Sequence, residues 1–364
     1  MPSSTRASGP NTDEVIQTMR NGSNATEEKN TRPALPHQPA AGPAGAPTGA
    51  PAAAAAAAAA PASAPTSAPA SAPASAPKKK HSQMRDVWRR YRKSPIAMLG
   101  LFIVIVMFLL AISADFIAPG DGKNPGYDIQ DLTNRFQVPG RDHIMGTDQY
   151  GRDIFARVVH GTRVSLSVGF ITVTISMITG VALGAIAGFF GGVSENLIMR
   201  TVDIILSIPP ILLAISVAAA LTPGLYSAVI AVGIGAIPLY ARIMRASVLT
   251  VREQEFIEAA YAIGASKFRI ISKHILPNCL APIIVQATMG MGYAILWAAA
   301  LSFLGLGIQP PTPEWGAMLS EGRMYILDYW HMVLFPGLSI ALVIFALNMM
   351  GDGLRDALDP KLKK

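Results

Sequence analysis

Six stretches of this 364-residue chain, at 96–116, 164–190, 204–221, 227–244, 281–304 and 332–350, are apolar over about the length a helix needs to cross the hydrocarbon core of a bilayer. Inside that core no water is available to backbone N–H and C=O groups, so such a stretch folds as a helix that bonds within itself. Composition agrees: 51% of the residues are hydrophobic and 15% are charged, against about 25% charged in ordinary soluble domains. The expected fold class is therefore an all-α integral membrane protein with six transmembrane helices. Pro209, Pro210 and Pro238 interrupt the third and fourth spans, and proline is tolerated there where neighbours satisfy the freed carbonyls. An even number of spans puts both termini on one side of the membrane.

Outside the spans the chain changes character. Region 1–84 is a Pro/Ala-rich N-terminal extension, expected to be disordered because Pro, Ala, Ser, Gly and Thr cannot bury enough apolar surface to offset ordering entropy. The alanine run 52–60 lies between Pro51 and Pro61 and is shorter than the ~12 to 15 residues an isolated helix requires. A basic segment, 85–95, then precedes the first span, which reads as a retained anchor rather than a cleaved signal peptide. The net charge of +7 would suit nucleic acid, but the basic residues flank apolar runs and form no face interleaved with aromatics, so no nucleic-acid partner is expected. Basic residues before span one, between spans four and five (Arg252, Lys267, Arg269, Lys273) and after span six (Lys361, Lys363, Lys364) mark those segments as cytoplasmic. The resulting organisation is a first transmembrane helix at 96–117, an extracytoplasmic loop at 118–163, a five-helix core at 164–350 with a cytoplasmic loop at 246–280, and a cytoplasmic tail at 351–364. The loop at 118–163 itself carries both arginines and aspartates, and only the whole-chain pattern places it outside. Cys279 is the sole cysteine, which excludes an intrachain disulfide and a thiolate metal cluster and suits a small buried hydrophobe.

The loop at 246–280 is the most structured polar segment. Phe256, Ala259, Ala260 and Ile263 recur at helical spacing, as do Phe268, Ile271 and Ile275 after Gly264-Ala265-Ser266, which predicts two short helices joined by a turn. Ala259 and Ala260, following Glu258, leave room for another surface to approach the backbone, and Gly264 lets the chain bend without a Cβ clash. Such an element suits docking into a groove; an amphipathic connector lying on the membrane surface would show the same spacing.

The pattern Glu258-Ala259-Ala260, three residues, Gly264, nine residues, an isoleucine position, one residue, Leu276-Pro277 resembles the cytoplasmic loop of permease subunits of ATP-binding-cassette importers. It departs at one place, where His274 stands at the isoleucine position with Ile275 beside it. From Trp88 onward the chain resembles the peptide and nickel importer subfamily, through Gly146 to Asp153 (GTDQYGRD), Leu301 to Gly307 (LSFLGLG), Gln309 to Gly316 (QPPTPEWG) and Gly351 to Pro360 (GDGLRDALDP). It is closer to the C-type than to the B-type subunits of dipeptide permeases. The resemblance implies a type I ABC importer permease architecture in a bacterial cytoplasmic membrane, with both termini cytoplasmic. It also implies that Glu258, Ala259, Ala260, Gly264, Ala265, Leu276 and Pro277 couple the chain to ATPases. The implied partners are two ABC ATPase subunits, a homologous B-type permease subunit completing a heterodimer, and an extracytoplasmic peptide-binding protein. The implied cargo is a dipeptide or short peptide, with oligopeptides, a nickel chelate or glutathione as alternatives.

Each block also has a plain chemical reading. Gly146 to Asp153 makes a tight turn closed by Arg152 with Asp148 or Asp153. Pro310, Pro311 and Pro313 end span five in a rigid outer loop, and Trp315 sits where interfacial aromatics belong. Gly351 is expected to stop span six, leaving Asp352, Arg355, Asp356 and Asp359 in a solvated tail. Among polar residues inside spans, Gln286 and Asn348 are candidates for a translocation path. Ser165, Ser167, Thr172, Thr174 and Ser176 suit helix-to-helix hydrogen bonds or that path, and Gly180, Gly184 and Gly188 suit close helix packing. No catalytic residue, cofactor or metal is expected: the chain has no phosphate-cradling G-x-x-x-x-G-K-[ST] loop, no H-E-x-x-H pair and no G-x-S-x-G turn. A self-sufficient secondary transporter or channel would need coupling carboxylates or a filter in its spans, whose centres hold no Asp or Glu.

Overall fold

The computed structural model describes residues 83–359, so the expected disorder of the N-terminal extension and the lysines at 361, 363 and 364 lie outside the described residues. Among the described residues the chain is helical: α1 (Gln83–Tyr91), α2 (Pro95–Ile112), α3 (Ala114–Ile117), α4 (Ile154–Phe190), α5 (Gly192–Ser207), α6 (Pro210–Ala219), α7 (Leu225–Arg252), α8 (Glu255–Ala262), α9 (Lys267–Phe303), α10 (Trp315–Gly322) and α11 (His331–Leu358). The one β feature described is an isolated bridge between Thr147 and Asp153. Helices α2, α4, α7, α9 and α11 are each long and apolar enough to cross a membrane, and α5 with α6 forms a sixth candidate bent by 90°. Local chemistry sets the starts: Ser94 caps α2 through the Ala97 amide with Pro95 in the first turn, and Asp153 caps α4 through the Ala156 amide at 3.0 Å.

The tightest contact joins α4 to α7. Cβ atoms placed on Gly180, Gly184 and Gly188 would lie 2.6 Å from Tyr240 Cβ, 2.8 Å from Met244 Cβ and 2.9 Å from Val248 Cβ respectively, so the expected glycine stripe is a seam of close backbone approach. The partners rise in the same order on both helices, so α4 and α7 run parallel. Ser176 reinforces the seam by donating to the Gly233 carbonyl at 2.9 Å.

Parallel neighbours force a return crossing between them. That return is made by α5 and α6: Glu195 pairs with Arg245 near the end of α7, and Ser227 at the start of α7 donates to the Ala218 carbonyl. The distance from Ser227 to Arg245 along α7 is about 27 Å at 1.5 Å per residue, close to the thickness of the hydrocarbon core. The third span expected at 204–221, interrupted by Pro209-Pro210, is thus a bent pair of helices that begins earlier, at Gly192. Residue Ile208, ahead of Pro209-Pro210, is extended and α6 restarts with Pro210 in its first turn, as the steric demand of a proline on its predecessor requires.

Other spans outrun their apolar stretches. α4 starts ten residues before 164, α9 absorbs the second half of the expected loop, and α11 passes through Gly351 to Leu358. Gly351 does not stop a helix: a Cβ there would lie 2.6 Å from Met289 Cγ, and one on Gly353 would collide with the Ala97 Cβ. These glycines admit α9 and α2 against α11. Since α2 and α11 are antiparallel, Tyr91 and Ala357 meet in one cluster, and both described chain ends lie at the same end of the bundle.

Gly184→Leu should lower the thermal midpoint of the detergent-solubilised protein by several degrees, as overpacking of about 1–3 kcal/mol or more implies. Gly233→Ala, whose Cβ would meet Ser176 Oγ at an ordinary 3.5 Å, should leave it nearly unchanged.

Candidate functional site

The segment that carries the expected coupling residues sits where α4 and α7 end side by side. Arg252 donates to the Gly188 and Phe189 carbonyls at 3.3 and 3.2 Å, satisfying the last turn of α4. On this platform α8 packs through Ile257 and Ala260, in one buried cluster with Met244 and Val248 of α7, Ala185 and Phe189 of α4, and Ile270, Ile275 and Cys279 of α9.

Gly264 ends α8 with φ of +75°. The Gly264 amide donates to the Tyr261 carbonyl at 2.9 Å and the Ala265 amide to the Ala260 carbonyl at 3.1 Å, the paired bonds of a Schellman turn, with Ala265 and Ala260 meeting across it. Gly264 is thus required for its backbone conformation: a Cβ there would touch nothing within 4 Å. Ser266 then caps α9 through the Arg269 amide. The turn Ile270–Ile275 is a π-helix, in which the Leu276 amide reaches the Ile271 carbonyl, and Pro277 follows without an N–H of its own. His274 lies in this widened turn, half-buried, and its carbonyl accepts from Asn278 Nδ2 at 2.6 Å.

The expected helix–turn–helix is present, and its two sides differ in exposure. Ile257 and Ala260 point inward, whereas Phe256, Ala259, Ile263 and Phe268 are exposed, Ile263 by 84% and Phe268 by 80%. Glu258 and Pro277 are exposed with them, and Leu276 is half-buried against the cluster. Of the two alanines, then, Ala259 is open to a partner and Ala260 serves the chain's own packing. The second helix of the loop has no break before span five, so α9 carries the segment from Lys267 straight into the bundle.

At the opposite end a buried ion cluster closes the molecule. Arg152 Nε meets Asp148 Oδ2 at 2.7 Å, Arg157 Nη1 meets the same oxygen at 2.8 Å, and both arginines reach Glu321 of α10 at 2.9 and 2.7 Å. Burial works against the Arg152 charge, yet Asp148 and Glu321 together hold its pKa above the usual value. The sequence reading identified Arg152 with Asp148 as one of two possible closures; Asp153 instead pairs with His143 at 2.7 Å besides capping α4. Arg157 and Glu321 were not singled out, although a charged residue in the first turn of an otherwise buried helix signals such a partner. Trp315 is corrected as well: it is fully buried rather than interfacial, donating from Nε1 to the Val158 carbonyl at 3.1 Å. Beside it Glu314 caps α10 through the Ala317 amide; burial pushes its carboxyl up, partly offset by backbone hydrogen bonds.

Between these ends lies a cavity of about 420 Å³, bounded by α4, α6, α7 and α9, whose lining includes Thr172, Tyr240, Gln286, Tyr293 and Trp297. The buried hydroxyls of Thr172 and Tyr240 have no hydrogen-bond partner. Gln286 is therefore placed on a cavity wall, while Asn348, half-buried on α11, is not among its lining residues. Among the described residues no group of three or more His, Cys, Asp or Glu is placed to hold a metal ion.

Comparison with known proteins gives two family matches. Residues 180–364 match the binding-protein-dependent transport system inner membrane component, and residues 82–139 match the N-terminal TM domain of oligopeptide transport permease C. The chain is 50% identical over 282 residues to the dipeptide transport system permease protein DppC of Alkalihalophilus pseudofirmus, covering 78% of this chain and 91% of that protein. It is 45% identical over 284 residues to the di/tripeptide transport system permease protein DppC of Pseudomonas aeruginosa, covering 78% and 93%. It is also 45% identical over 278 residues to the glutathione transport system permease protein GsiD of Escherichia coli O157:H7, covering 76% and 90%.

Glu321→Ala should destabilise the protein by about 3–5 kcal/mol, because it leaves Asp148 as the one close carboxylate for two buried arginines. Asp203→Ala, which breaks the exposed pair with Arg242, should cost under ~1 kcal/mol. Denaturant titration in detergent separates the two.

Proposed function

The chain belongs to the family of inner membrane components of binding-protein-dependent transport systems, and from that premise we propose that it forms half of the transmembrane pore of an ATP-binding-cassette importer of dipeptides or short peptides. The observation that carries this reading is the surface of α8. Phe256 on α8, Ile263 at its C-terminal end and Phe268 just beyond the Gly264 turn are exposed, while Ile257 and Ala260 lock the inner side of α8 into the bundle. Exposed aromatic and aliphatic anchors on a rigid support are what a protein partner grips.

The partners are two cytosolic ATPase subunits, one of them seated on α8, with a homologous B-type permease subunit completing the pore and an extracytoplasmic peptide-binding protein delivering cargo. ATP hydrolysis belongs to the ATPases. The end of the bundle that carries α8 faces the cytosol in this reading. Support comes from its charge: the arginines of α1, with Arg252, Lys267, Arg269 and Lys273, all gather there. Both termini are then cytoplasmic, in a bacterial inner membrane.

The coupling follows from the packing. A push on α8 reaches α4 and α7 through Ile257 and Ala260 and enters α9 without a hinge other than the Gly264 turn. Glu258, Ala259, Gly264, Ala265, Leu276 and Pro277 act as one lever, with Ala260 as its seat. ATP binding tilts the spans to admit the peptide, and hydrolysis resets them. Gln286 lies on the path through the cavity it shares with Thr172 and Tyr240; an apolar wall with a few hydrogen-bonding groups lets side chains of many kinds pass without holding them. The glutathione permease relative favours glutathione as a second cargo, itself a tripeptide in size.

In proteoliposomes holding the full transporter, Ile263→Glu should cut ATP-dependent dipeptide uptake at least about tenfold, the scale of losing one interface anchor, while the purified permease keeps its wild-type melting point. Gly264→Val, forced into a left-handed backbone, should do the same with a small loss of stability, on the order of 1–3 kcal/mol. Wild-type uptake by both variants would sink the reading, and faster uptake of glutathione than of dipeptides would reassign the cargo.

A further inference from the structure

Helix α1 is amphipathic in a way the transport reading does not use. Its inner side packs on the ends of α2 and α11 through Val87 and Tyr91. The Tyr91 hydroxyl donates to the Ala97 carbonyl at 3.0 Å, and the Trp88 ring stacks on Tyr91 with centroids 5.9 Å apart and planes 9° from parallel. Trp88 is thereby fixed in place while remaining 49% exposed.

Beside it runs an apolar groove of about 380 Å³, lined by Val87, Trp88, Tyr91, Leu101, Met350 and Leu354. The groove enters the membrane: Leu101 lies six residues inside α2 from Pro95, about 9 Å along the span. Its mouth lies at the depth of the headgroups, because α1 precedes the first residue of the span. Arg85, Trp88 and Arg92 fall at i, i+3 and i+7 on one side of the helix, which continues far enough for the Arg92 amide to reach the Trp88 carbonyl at 3.0 Å. Among the described residues, none of Arg85, Arg89, Arg90, Arg92 and Lys93 forms an ion pair of 4.0 Å or less.

We infer that this groove is a binding site for one anionic glycerophospholipid, with an acyl chain along Leu101, Met350 and Leu354 and its phosphate between Arg85 and Arg92 beside Trp88. An apolar slot that opens at headgroup depth beneath uncompensated guanidinium groups matches a lipid in shape and in charge. A free phosphate would leave the slot empty, and a zwitterionic lipid would leave the extra positive charge unmatched. Bound there, the lipid clamps α1 to the α2–α11 junction. The inference is independent of the cargo and of which side of the membrane α1 occupies.

The test is native mass spectrometry of the delipidated full-length chain, titrated with phosphatidylglycerol and phosphatidylcholine at equal concentration. Wild type should retain one phosphatidylglycerol in preference to phosphatidylcholine by about tenfold, the scale expected of two basic residues near a membrane surface. R85Q/R92Q should bring that ratio close to one, and R85K/R92K should restore most of it. Met350→Trp, which fills the groove and leaves the charges, should lower retention of both lipids at this site and keeps the test open if the glutamine variant fails to fold. No preference in wild type, or an undiminished preference in R85Q/R92Q, overturns the inference, as does full retention in Met350→Trp.

Discussion

The seam between α4 and α7 is the contact on which the rest of the molecule depends. In lipid there is no hydrophobic gain from bringing two helices together, so association rests on van der Waals contact and hydrogen bonds, and small residues are what allow close approach. Gly180, Gly184 and Gly188 supply that on α4, against Tyr240, Met244 and Val248 of α7. Because the two helices are parallel, the chain must cross back between them. It does so by the bent pair α5 and α6, whose break at Pro209-Pro210 also leaves a wall for the central cavity.

Parallel packing has an electrostatic consequence too. Two helix C-termini, each carrying a partial negative charge, end at the same level. The chain answers with arginine: Arg252 lies on the last carbonyls of α4, and Arg245 on α7 pairs with Glu195 at the start of α5. The result is a rigid shelf on which α8 rests by Ile257 and Ala260, leaving its other side free. At the far end the same need for fixed geometry is met differently. The Arg152, Arg157, Asp148 and Glu321 cluster ties the turn at 146–153 to α10, where breaking a buried pair costs much more than the pair itself contributes.

Much of this was legible in the residues, and the exceptions have physical causes. Hydropathy located the spans because it measures contact with lipid. It could not mark where α4, α9 and α11 end, because helices run on past the apolar zone wherever other helices or water satisfy them. Gly351 reads as a stop by propensity, but tertiary contact with Met289 makes it a crossing point. Trp315 reads as an interfacial anchor until Val158 offers its indole a buried acceptor. In α8 the spacing of Phe256, Ala259 and Ile263 was helical, yet these residues are exposed while Ile257 and Ala260 are buried. An apolar stripe signals some partner without saying whether it is the chain itself or another protein. The loop motif from Glu258 to Pro277 was visible as a pattern; that Gly264 serves a Schellman turn required the backbone.

The central claim is that the exposed side of α8 is the seat of an ATPase subunit. Because Cys279 is the only cysteine and is buried, a cysteine placed at Ile263 can carry a photoactivatable cross-linker to a single surface site, with Tyr226, exposed at the other end of α7, as the control position. In membranes holding the assembled transporter, the account predicts an adduct with the ATPase from position 263 and none from position 226. No ATPase adduct from position 263, or an adduct formed equally from 226, would contradict it.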